Sequence, residues 1–103
     1  SQAERESIRY KQVEFMQDKI GKEFEGVISG VTEWGIYVEE PSTKAEGMVR
    51  LKDMTDDSYS LDEKNYRVIG SRSKKKLSLG DKVRVRLLSA DLARKTLDFK
   101  IVA

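Results

Sequence analysis

The stretch VTEWGIYVEE, Val31 to Glu40, sets the only tryptophan of the chain three residues before a tyrosine, with a glycine between them. Ile36 and Val38 supply the alternating apolar side of a short strand, so Tyr37 is directed to the opposite face. Large aromatic rings ordinarily go to a core. Why a domain of 103 residues holds a ring outside depends on what else lies on that face.

The same alternation recurs further along. In KVRVRLLSAD, Val83, Val85 and Leu87 face one way and Lys82, Arg84 and Arg86 the other. After the turn ADLARK, Leu97, Phe99 and Ile101 alternate with Thr96, Asp98 and Lys100 in a last strand. Upstream, Phe24 to Val31 reads as a first strand whose Gly26 and Gly30 suggest bulges or sharp coiling. Trp34 to Glu39 is a second strand and Gly47 to Leu51 a third, separated by the loop EPSTKAEG. Five short strands punctuated by glycine predict an all-β fold, a small closed barrel, because closure removes exposed sheet edges.

Between the third and fourth strands lies a long insert, Lys52 to Leu79. It begins acidic and turn-rich, KDMTDDSYSLDE, and ends as a predicted hairpin, Tyr66 to Ile69 and Lys74 to Leu79, around GSRS. Asp53, Asp56, Asp57, Asp62 and Glu63 lack calcium-loop spacing and its glycine, so they are expected to cap a short helix and a turn rather than hold a metal.

Residues 1–19 contain no glycine or proline and are rich in good helix formers. Ile8, Phe15 and Met16 are expected on one helical side, with Glu6–Arg9 and Lys11–Glu14 as i,i+3 pairs, and Gly21 ends the helix. So thin an apolar stripe suits a helix that packs against something else.

Absent residues narrow the function further. There is no cysteine, hence no disulfide or thiolate zinc site, and no histidine, hence no His-dependent hydrolytic triad. No signal-peptide apolar region opens the chain, and a cytoplasmic location is expected. Residues 1–63 hold 8 Lys/Arg against 15 Asp/Glu, and residues 64–103 hold 12 against 3. Such a split predicts one face able to meet a polyanion, although on charge alone a merely solvated basic surface stands equally open.

GKEFEGVISGVTEWGIYVEE, EGMVRLKDM and GDKVRVRLLSADLARKTLDFKIV, in this order, resemble the S1 RNA-binding domain, a five-stranded OB-fold barrel. Trp34, Gly35, Ile36, Tyr37 and Val38 stand where that family has an aromatic, a glycine, any residue, an aromatic and a valine. The insert and leader are similar more narrowly to the C-terminal S1 domain of the ribonuclease II/R family of processive 3′→5′ exoribonucleases. On that resemblance, residues 1–20 form the last helix of a catalytic domain and residues 21–103 the RNA-binding barrel. The expected partners are single-stranded RNA, bound without strong sequence preference, and the parent catalytic domain in cis; the domain is expected to be monomeric and away from membranes. The fragment itself is expected to be inactive and to need no cofactor, the parent being a magnesium-dependent hydrolase. The alternatives are an S1 domain of a translation or transcription factor, or an OB-type protein-interaction module.

The resemblance implies that Trp34 and Tyr37 stack on bases; the alternative is that Trp34 caps the barrel end and Tyr37 covers it. Arg50 stands where the family usually has histidine, and a guanidinium can stack on a base and pair with phosphate at once. Asp91 and Lys95 match the family's aspartate and basic residue at the last turn, and Lys22 and Lys82 lie near the same rim by resemblance. Lys74, Lys75 and Lys76 form the densest basic run and either approach phosphate or are simply solvated.

Overall fold

The computed structural model describes residues 2–102 of the chain, with side chains from residue 8 onward. A helix, α1 (Gln2–Met16), runs through a short 3₁₀ turn, Gln17–Lys19, into β1 (Glu23–Val31). There follow β2 (Gly35–Glu39) and β3 (Glu46–Arg50), then β4 (Tyr59–Asp62), β5 (Arg67–Gly70) and β6 (Lys76–Ser78), and finally β7 (Lys82–Asp91) and β8 (Thr96–Ile101). Strands β1, β2, β3, β8 and β7, in that order, close a five-stranded barrel, the all-β OB architecture expected. Every pairing in the barrel is antiparallel except β3 with β8, where Met48 lies beside Asp98.

The period-2 pattern puts Ile28, Ile36, Val38, Val49, Val83, Val85, Leu87, Leu97 and Phe99 inside, all buried. On the outer face of β7, Arg84 and Arg86 both reach Glu23 of β1, at 2.9 and 2.8 Å. These cross-strand contacts place both guanidiniums on one carboxylate.

Both mouths of the barrel are plugged. At the end that holds the β2–β3 loop, α1 inserts Val13 and Met16 into the core cluster, and Gln12 Nε2 donates to the Thr43 carbonyl at 3.2 Å. This corrects the expected stripe: Met16 is buried, but Ile8 and Phe15 are 58% and 51% exposed. The helix is apolar on two sides, and the side carrying Val13 and Met16 meets the barrel. Among the described residues Lys11 and Glu14 form no ion pair, and the side chain of Glu6 lies outside them.

The opposite mouth is covered by the insert, which is a three-stranded sheet, β4–β5–β6, rather than a hairpin alone. Tyr66 is not its first strand residue; it sits just before β5 in the left-handed region at φ 51°. Val68 and Leu77 are buried in the same cluster as the barrel residues, so insert and barrel share one core. Asp57 pins the turn around GSRS. Its carboxylate accepts the Ser73 N–H and hydroxyl, both at 2.8 Å, and the N–H groups of Ser58 and Arg72. The Ser73 bonds lead these in holding its carboxyl well below the usual aspartate range. The acidic residues therefore organise turns. Asp62 pairs with Arg67 at 2.9 Å and accepts from Asn65, but neither 3₁₀ turn of the insert has a side chain that accepts at its N-terminus.

Leu77→Ala is expected to lower stability by about 2–5 kcal/mol in chemical denaturation, and to shift a single transition for barrel and insert together. A separate early transition would show that the insert folds on its own. Burial works against ionisation of Glu40, but bonds from the Thr43 and Ser42 hydroxyls and N–H groups outweigh it and hold its carboxyl at about 2, against an ordinary 4.5. A depressed carboxylate stabilises the fold above its unfolded value and loses that contribution as pH falls. Glu40→Gln is thus expected to melt lower than the parent at neutral pH, the gap closing between pH 4.5 and about 2.

Candidate nucleic-acid interface

Residues on the outside of adjacent strands line up through the pairing register. Gly30 of β1 lies opposite Tyr37 of β2, which lies opposite Met48 of β3; Met48 meets Asp98 of β8, which lies opposite Ser89 of β7. The middle of this row, Tyr37, Met48 and Asp98, lines a cleft of about 380 Å³. Tyr37 is half-buried there, and Arg50 and Lys95 are in its wall. A side chain at Gly30 would come within 3.3 Å of the Tyr37 ring, so the glycine leaves room for the ring against the strand. The register shift of β1 falls here, between Ile28 and Gly30. Gly35 has a different reason: a Cβ would collide with the Val49 carbonyl of β3.

Trp34 is in the bend before β2, not on the strand as its periodicity suggested. The Thr32 hydroxyl accepts the N–H groups of Trp34 and Gly35 at 3.2 and 3.1 Å and donates to the Gly35 carbonyl at 2.8 Å. That side-chain-braced turn, anchored to β3 by a bond from the Leu51 N–H to the Trp34 carbonyl at 3.0 Å, holds the indole outward. It is 72% exposed, so it neither caps the barrel nor joins its core. Trp34 lines a second cleft with Met48, Arg50, Leu51 and Lys52. Met48 and Arg50 line both clefts, which makes Tyr37 and Trp34 neighbours along one continuous surface.

Arg50 Nη2 is 3.5 Å from Asp98 Oδ1, and Ser89 Oγ donates to Asp98 Oδ2 at 2.8 Å. The guanidinium is therefore tethered over the cleft by a partly exposed pair, weak enough to exchange its carboxylate for another anion. Asp91 sits at the start of the last turn. Its Oδ1 accepts the Arg94 N–H at 3.1 Å, shaping the turn that carries Arg94 and Lys95 to the cleft, with Lys95 at φ 57°.

The remaining basic residues lie elsewhere. Lys22 precedes β1 and gives its carbonyl to the Leu87 N–H, and Lys82 pairs with Val27 on the β1–β7 side. Neither joins the cleft lining. Lys75 borders a separate cleft with Asp53, Asp56 and Lys100, between the insert and the end of β8; Lys74 and Lys76 flank it in the chain. Sequence reasoning missed Arg9 and Gln12 of α1, and Arg94, all in the wall of the Tyr37 cleft. Among the described residues no acidic group is arranged to hold a metal ion, and no helix is long and apolar enough to cross a membrane.

A closed barrel whose outer face gathers two rings and several cations is the architecture of a nucleic-acid-binding OB module. Residues 17–101 match the S1 RNA binding domain, and the chain belongs to that family. Beyond the barrel, 101 residues are 39% identical to ribonuclease R of Aquifex aeolicus, covering 98% of this chain and 14% of that protein. Ribonuclease R of Escherichia coli is 30% identical over 102 residues, 99% of this chain and 12% of that one. The chain thus spans roughly an eighth of the length of these relatives. In fold it is similar to Mycoplasma genitalium RNase R in complex with ribose methylated single-stranded RNA. The TM-score is 0.89 at 23% identity, over 96% of this chain and 15% of that one.

Because its ring stands in solvent, Trp34→Ala is expected to change stability by less than about 0.5 kcal/mol. A melting curve checks this; a large loss would return Trp34 to a packing role.

Proposed function

We propose that the chain binds single-stranded RNA without strong sequence preference, as the S1 domain of a ribonuclease R-type 3′→5′ exoribonuclease. The observation that carries the reading is the continuous surface on which the exposed Trp34, the half-buried Tyr37 and the Arg50 guanidinium adjoin. Every base has a π-face, so ring stacking tolerates any sequence, while cations along the cleft take the backbone. Asp98 holds Arg50 in place until a phosphate replaces it. Cations that meet the backbone phosphates displace condensed counterions and make binding salt-dependent.

The parent enzyme's activity belongs to the same proposal. Its support is that similarity to ribonuclease R runs through leader and insert as well as barrel. Ile8 and Phe15 of α1, and Ile20 after the 3₁₀ turn, are also uncovered, an apolar surface suited to a preceding catalytic domain in cis. On this reading residues 1–20 end that domain, magnesium serves its chemistry, the protein works in the cytoplasm, and the isolated fragment is a monomer that grips RNA without cutting it. Asp91 contributes through the turn it shapes. Lys22, Lys82 and Lys74 to Lys76 are left as secondary, long-range contributions to the field around the strand.

Trp34→Ala and Tyr37→Ala are each expected to weaken binding of a labelled single-stranded RNA by about 1–3 kcal/mol in an anisotropy titration. Unchanged affinity in both variants would remove the stacking role. Incubated with magnesium, the purified fragment should leave the same RNA at full length on a denaturing gel; progressive shortening that survives removal of contaminating nucleases contradicts the division of labour.

A further inference from the structure

We infer that α1 is itself part of the RNA path, and that Arg9 on the helix and Arg94 on the β7–β8 turn form a phosphate-binding mouth at the α1 end of the cleft. The inference rests on the proposed RNA reading and adds a site to it.

Arg9, Gln12 and Val13 lie at i, i+3 and i+4, one side of the helix. Val13 is buried in the barrel core and Gln12 is bonded to the Thr43 carbonyl, so packing fixes where Arg9 stands. Arg9 lines the cleft with Tyr37 and Arg94. The distribution of ion pairs gives the reason for a ligand. Arg50 is held by Asp98, Arg67 by Asp62, Arg72 faces Asp57, and Arg84 and Arg86 share Glu23. Among the described residues, Arg9 and Arg94 are the arginines without a carboxylate partner.

Neither carboxylate lining the same cleft is paired with Arg9 or Arg94. Glu46 Oε2 accepts from Ser29 Oγ at 2.7 Å, and Asp98 is held by Ser89 and Arg50. Two guanidiniums without a carboxylate partner among the described residues make a place for an outside anion. A phosphodiester fits, because each fork can donate two hydrogen bonds to its oxygens. A strand whose bases stack at Tyr37 and Trp34 would carry its backbone past this mouth.

The test is the salt dependence of binding of a fluorescein-labelled twelve-nucleotide oligouridylate, with Arg9→Gln, Arg94→Gln, Arg9→Lys and Trp34→Ala each compared with the parent. Circular dichroism and melting confirm that each variant is folded. Arg9→Gln and Arg94→Gln are each expected to flatten the slope of log K against log salt by about 0.7, the increment for one single-strand phosphate. Arg9→Lys is expected to keep the slope, because the charge survives. Trp34→Ala should lower affinity at every salt with the slope unchanged. If Arg9→Gln keeps the parent slope while Trp34→Ala still loses affinity, the helix has no part in the path and the RNA reading stands. If the parent binds no RNA at any salt, both fall together.

Discussion

One parallel contact organises this molecule. All other strands of the barrel are joined in antiparallel pairs, and only the meeting of Met48 with Asp98 closes β3 onto β8. Closure removes the two sheet edges that would otherwise be open to another chain. It also brings the middle of the sequence against its end. Tyr37 and Arg50 come from strands read early, Lys95 and Asp98 from the last hairpin, and they face one cleft only because β3 and β8 are neighbours. Without that contact there is no floor between the rings and the cations.

The surface follows from what closure leaves outside. A barrel this small has two open mouths, and each is filled by apolar residues from an added element: Val13 and Met16 of α1 at one end, Val68 and Leu77 of the insert at the other. Outside the cleft, Glu23 takes both Arg84 and Arg86, Asp62 takes Arg67, and Arg72 faces Asp57. Among the described residues, the two arginines without a carboxylate partner, Arg9 and Arg94, lie beside Tyr37. Attraction of a polyanion is then directed to the face where stacking is possible.

The barrel was legible in the sequence because a half-buried strand writes its period directly: Val83, Val85 and Leu87 need no tertiary information to be placed inside. The first strand of the insert was not. Tyr59 to Asp62 alternates for only four residues within an acidic, turn-rich stretch, and its pairing with β5 is what makes it a strand. The helix misled for another reason. Ile8, Phe15, Val13 and Met16 give it apolar residues on two sides, and only docking decides which side is buried. Of the site, Trp34 and Tyr37 could be named from their motif, but Arg9 and Arg94 could not. Their importance comes from lying without carboxylate partners beside Tyr37, a relation between distant parts of the chain. Thr32 did leave a local signal, a hydroxyl two residues before the exposed ring, of the kind that braces tight turns.

Trp34 is the only tryptophan of the chain, so its fluorescence reports the central claim without a label. Single-stranded RNA titrated into the domain at low salt is expected to quench that emission saturably. Added salt should restore it in step with loss of binding measured independently. Binding that leaves the tryptophan emission unchanged would contradict the account, because RNA would then be held on a face that Trp34 does not share.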